Sequence, residues 1–137
     1  MSANVLGAGC LTELQRNPMP SDTTIWQGVT VEHPDYSHRI DLLCENGAHI
    51  KFLSLEPLLA LMPKLKLRGI KWVIVGGESG PGARPMDGAW VRQIRDRCNR
   101  YQVPFFFKQW GGTNKALTGR ILDERTWDDM PALAGVR

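Results

Sequence analysis

The stretch Trp72-Val-Ile-Val-Gly-Gly-Glu78-Ser-Gly-Pro-Gly-Ala-Arg-Pro85 decides how the rest of the chain is read. An apolar run, mostly β-branched, leads directly into two glycines, an acid and a Gly-Pro-Gly turn. Short unbroken apolar runs suit strands buried on both faces, as in parallel sheets. Three other runs share this character, at residues 25–31, 50–55 and 103–107. Amphipathic segments separate them. Residues 36–47 carry Ile40, Leu42 and Leu43 behind a cap at Ser37, and this helix should stop near Asn46-Gly47. Residues 87–102 read more clearly as a helix. Asp87 is its N-cap, and Trp90, Val91, Ile94 and Cys98 form one stripe opposite Arg92, Arg95, Asp96 and Arg97. Pro63 interrupts residues 58–65, which predict a short helix or an irregular crossover.

Strands alternating with helices predict an α/β fold with a parallel β-sheet of about four strands. Residues 25–112 make up that domain. Residues 1–24 are broken by Gly7, Gly9, Pro18 and Pro20 and read as a leader or linker, with at most a short helix at 11–16. Residues 113–137 read as a tail packed on the domain, anchored by Trp127 or Met130.

Composition narrows the class. Hydrophobic residues are 42% and charged residues 23%, which fits a folded globular chain and argues against disorder. The formal net charge of +3 does not point to a nucleic-acid binder, and the short cluster Lys64, Lys66, Arg68 and Lys71 reads as a solvated face. Cys10, Cys44 and Cys98 are too far apart for a Cys-x-x-Cys pair. They are expected to be free thiols in a reducing cytoplasm. No apolar run reaches the length of a membrane span, and no signal-peptide core is seen.

The candidate chemistry is positional. The predicted strands exit at Glu32-His33-Pro34, Glu56-Pro57, Gly76-Gly77-Glu78 and Lys108-Gln109. Parallel α/β proteins bind ligands at this edge. Gly76 and Gly77 allow close backbone approach. The amides of Gly80 and Gly82 and the guanidinium of Arg84 suit a carboxylate or phosphate. Neither a Walker ending nor a dinucleotide fingerprint is present. Each feature also has a plain structural reading. The glutamates can pair with Arg39, Arg84 or Lys108, the glycines can make a strand-to-helix turn, and residues 105–107 can be core. Three acids on one rim would suit a hard cation in a carboxylate-bound metal hydrolase, but no histidine completes a ligand set, and no metal is expected. His33 is the one histidine at a strand exit.

Together, the segments 26–32, 52–59, 72–85 and 104–111 closely resemble the phage gp thirty-seven/gp sixty-eight family. The resemblance spans residues 25–112. It implies part of a TIM-type barrel similar to radical-S-adenosylmethionine enzymes. By that resemblance, Gly76-Gly77-Glu78 would contact the amino group of S-adenosylmethionine. Members of such families hold an iron–sulfur cluster on a cysteine-rich segment, and this chain has no such triad, so no cluster is expected here. The chain looks like the C-terminal half of the family domain. That implies a ligand-binding rim, no catalysis by the isolated chain, and open sheet edges covered by a second copy or by a partner supplying the other half. A non-catalytic interaction module is the alternative.

Overall fold

The computed structural model describes residues 2–6 and 25–132. Its centre is one parallel sheet of β1 (Ser2–Leu6), β2 (Ile25–Thr30), β3 (Ile50–Leu55), β4 (Trp72–Gly76) and β5 (Phe105–Gln109), ordered β1-β2-β3-β4-β5. The α/β expectation holds. The sheet has one strand more than the four apolar runs suggest, because Ser2–Leu6, inside the segment read as a leader, pairs in parallel with β2. The expected short helix at 11–16 lies outside the described residues. Every strand neighbours its predecessor, so the sheet has no point where strand order reverses. A doubly wound sheet has such a point, whereas a barrel arc does not. The arc stays open, since β1 and β5 do not pair.

Strand periodicity sends alternate side chains to opposite faces. On one face Val29, Leu53, Leu55, Val73, Val75, Phe105 and Phe107 join the main core. The helices α1 (His38–Cys44) and α2 (Gly88–Arg100) contribute Ile40, Leu43, Val91, Ile94 and Cys98 to the same core. On the other face Trp26, Ile50, Phe52 and Trp72 form a second cluster, with Ile74 and Phe106 against it. Apolar contact on both faces explains why these strands read as unbroken apolar runs.

Asp87 caps α2 as expected, its Oδ1 accepting the Ala89 N–H at 2.8 Å. A 3-10 turn, Pro34–Tyr36, precedes α1, and Ser37 occupies the cap position without a side-chain hydrogen bond. Residues 58–65 form the irregular crossover, with Leu58, Met62 and Leu65 buried as anchors. A single turn, α3 (Lys115–Thr118), follows β5.

The tail closes one edge of the sheet. The Phe107 N–H donates to Trp127 O at 2.8 Å, the Asp129 N–H donates to Phe105 O at 3.3 Å, and Phe106 bridges Asp128 in antiparallel sense. Trp127 packs edge-on against Phe105 and is the anchor, whereas Met130 is 55% exposed. Asp129 O also accepts from Trp72 Nε1 at 2.8 Å. One of the two expected open edges is therefore covered by the chain itself. The outer edge of β5 is hydrogen-bonded, and Trp26, Phe52 and Trp72 are buried. The outer edge of β1 has no strand beside it among the described residues.

Candidate functional site

The carboxyl ends of β2 to β5 bring all the predicted rim residues to one edge. Glu32 follows β2 and accepts from Arg39 Nη1 at 3.1 Å. The same Arg39 nitrogen donates to Thr30 O at 2.9 Å, and the guanidinium lies 4.3 Å from the centre of the Tyr36 ring. This arginine is the least exposed cation of the rim pairs, at 12%, so Glu32 is fixed by a partner that is itself anchored twice.

Glu56 follows β3. Lys108 Nζ lies 3.1 and 3.3 Å from its two oxygens. Gln109 Nε2 lies 3.3 Å from Oε1, 3.2 Å from Gly77 O and 3.0 Å from Ser79 Oγ. One side-chain amide thus ties the ends of β3 and β4 to β5. Gly76 makes room for this carboxylate, since a Cβ there would sit 3.2 Å from Glu56 Cδ. Lys108 is the electrostatic partner that the sequence suggests. Its side chain is half exposed.

Gly77 has a different role. The Gly77 N–H donates to Gln109 O at 2.9 Å, and a Cβ on Gly77 would fall 1.9 Å from Trp110 O. Further along, the Gly112 N–H donates to Glu78 O at 2.7 Å and the Gly80 N–H donates to Gly112 O at 3.1 Å. The backbones therefore stay zipped beyond the strand ends. This corrects one expectation: the Gly80 amide is already used and is not free for an anion. The Gly82 amide has no hydrogen bond among the described residues, and Gly82 stands in open space with φ of 76°.

Glu78 is held in a fork. Arg84 Nε donates to Oε2 at 2.8 Å, Nη2 to Oε1 at 2.9 Å, and the Arg84 backbone N–H to Oε2 at 2.9 Å. These hydrogen bonds pull the Glu78 carboxyl down to about 2. The same contacts raise the Arg84 guanidinium, and the nearby charge of Glu32 adds to that. A carboxylate with a depressed folded pKa contributes stability above its unfolded value. That contribution is lost as pH falls through the folded value. The order of residues 78–84 is therefore expected to persist above about pH 4.5 and to fade toward pH 2. A carboxyl carbon NMR titration should follow Glu78 over this window. A midpoint near the ordinary glutamate value would show that the fork does not form in solution.

The three acids thus each own a cation at a separate strand end. Among the described residues no group of three or more His, Cys, Asp or Glu side chains is placed to hold a metal. His33 acts structurally: its Nδ1 accepts the Asp35 N–H at 3.2 Å and caps the 3-10 turn. An iron–sulfur cluster does not fit the described cysteines either. Cys98 is buried in the core, its thiol pushed up to about 12 by burial, while Cys44 is exposed at the end of α1. Cys10 lies outside the described residues. Ser79 and Thr30 are rim contributors with no sequence signal, because each acts through a contact that only the fold brings close.

No helix among the described residues is long and apolar enough to cross a membrane. No curated protein and no solved structure matches the chain. A family model does match, over residues 6–131, and the chain therefore belongs to DUF5131, a protein family of unknown function.

Proposed function

We propose that the rim at the carboxyl ends of β2 to β5 binds a small zwitterionic ligand of the S-adenosylmethionine type, and that the isolated chain is not a catalyst. The observation that carries this reading is the Glu78–Arg84 fork on an exposed turn. An α-amino-acid group carries an ammonium beside a carboxylate. Entering between Glu78 and Arg84, it replaces one ion pair with two, its ammonium on Glu78 and its carboxylate on Arg84 and the Gly82 amide. Glu32–Arg39 and Glu56–Lys108 flank that position with balanced charge. The sequential parallel order supports a kinship with radical-S-adenosylmethionine-like barrels and with the phage gp thirty-seven/gp sixty-eight family. The chain's three dispersed cysteines support the lack of a cluster and of radical chemistry in it, and free Cys44 and Cys98 suit the cytoplasm.

The outer edge of β1, which has no strand beside it among the described residues, favours a second element of the proposal, a further copy or a partner that continues the sheet. Calorimetry of the full chain with S-adenosylmethionine, on a sample whose mass is measured by light scattering, tests both parts. Measurable heat that disappears in Glu78→Gln is expected, from a species heavier than one chain. No heat at millimolar ligand, with the fold verified, would sink the ligand assignment, and a monomer at every concentration would sink the assembly.

A further inference from the structure

At the opposite end of the sheet, where β3 and β5 begin, lies a groove of about 1180 Å³ between α1, the crossover before β4 and the end of α2. Lys66, Arg68, Lys71 and Arg97 line it against a single acid, Asp41. Those five groups carry a net +3, as large as the formal net charge of the whole 137-residue chain. The positive excess of this protein is thus matched by one concavity. Asp41 is already paired with Lys66, at 2.9 Å. Arg68 and Lys71 are exposed and have no ion-pair partner among the described residues.

Arg97 is held in place without an acid. Its Nε donates to Leu65 O at 2.6 Å, and its guanidinium lies 5.2 Å from the centre of the Tyr101 ring. Arg100 also approaches that ring, at 5.7 Å. A guanidinium fixed by a carbonyl and an aromatic ring keeps its full charge and its remaining donors. Tyr101 itself is 52% exposed and Pro104 is partly exposed, and they give the groove its apolar surface, with Ile70 and Val103 buried behind them. The groove therefore pairs unneutralised cations with apolar surface.

We propose that this groove binds single-stranded nucleic acid, the cations taking phosphates and the apolar surface taking unstacked bases. A duplex hides the faces of its bases, and a free phosphate would leave the apolar surface unused. The modest net charge of the chain conceals this site. The charge is gathered from the crossover before β4 and from α2, which only the fold brings together.

Fluorescence anisotropy of the full chain with a labelled oligothymidine of about 20 nucleotides tests the proposal. Binding is expected to weaken with salt, with a logarithmic slope of about −2 if three phosphates are contacted. Arg68→Glu and Lys71→Glu should each weaken it by about tenfold. Lys115→Glu, the same charge change on exposed α3, should leave it within about twofold. Tyr101→Ala should also weaken binding, with the helical circular dichroism unchanged. Equal losses from Lys71→Glu and Lys115→Glu would overturn the site, as would absence of binding by the unmodified chain. Tighter binding of a hairpin duplex with the same phosphate count would overturn the single-stranded assignment.

Discussion

Gly111→Ala is expected to lower the unfolding free energy by about 3–5 kcal/mol, a sum of backbone strain and overpacking. Gly111 has φ of 81°, where a side chain is strained, and an added Cβ would lie 2.2 Å from Glu78 O and 2.7 Å from Gly77 C. Both obstacles are backbone atoms, so no rotamer change relieves them. They belong to a zipper of hydrogen bonds that joins residues 77–80 to residues 109–112. Making room would break the Gly112 N–H bond to Glu78 O and displace the base of the Glu78–Arg84 turn. Gly80→Ala is the informative comparison. Gly80 has φ of 104° but no atom within 4 Å of the added Cβ, so only strain remains, at about 1–2 kcal/mol. Urea denaturation of the two variants should separate them clearly. Equal losses would mean that the two backbones are not in contact.

Phe52→Ala should cost about 3–5 kcal/mol, in the range of buried aromatic truncations. Phe52 is 1% exposed and its ring lies 5.6 Å from that of Trp72, which also meets Trp26 and Phe106 edge-on. The ring lies over Gly28, its register partner on β2, so closely that a Cβ on Gly28 would sit 2.4 Å from Phe52 Cε2 and Cζ. Gly28→Ala alone should therefore cost about 1–3 kcal/mol through overpacking. In the double variant the new methyl enters space that the ring has vacated. The combined loss should fall short of the sum by about 1–2 kcal/mol. Chemical denaturation of the four proteins measures this coupling, and additivity within about 0.5 kcal/mol would refute the stacking of Phe52 on Gly28.

Much of the architecture is legible in local pattern. The four apolar runs are strands, because burial on both faces demands continuous apolar character. The helix at α2 is legible because its stripe and its Asp87 cap agree. The strand at Ser2–Leu6 escapes such reading. It is short, sits among glycines and prolines, and takes its place by pairing with β2, a long-range event. The rim was nameable as a set because parallel strands deliver their exits to one edge. The three cations were nameable as well, but which acid each one takes was not. Pairing Glu56 with Lys108 spans 52 positions, and the Gln109 amide reaches three acceptors that chain spacing does not relate.

The same contrast defines the Gly-Gly-Glu segment and the basic groove. Sequence alone determined that residues 72–78 form a buried strand ending in a turn, since apolar periodicity and glycine placement are local properties. Tertiary structure alone decided that Gly76 accommodates Glu56, that Gly77 accommodates Trp110 O, and that Glu78 is locked to Arg84. It also gathered Lys66, Arg68, Lys71 and Arg97 around one groove. The physical reason is common to all of these. Steric room and electrostatic potential depend on distances through space, and those are set when crossovers and helices pack against the sheet.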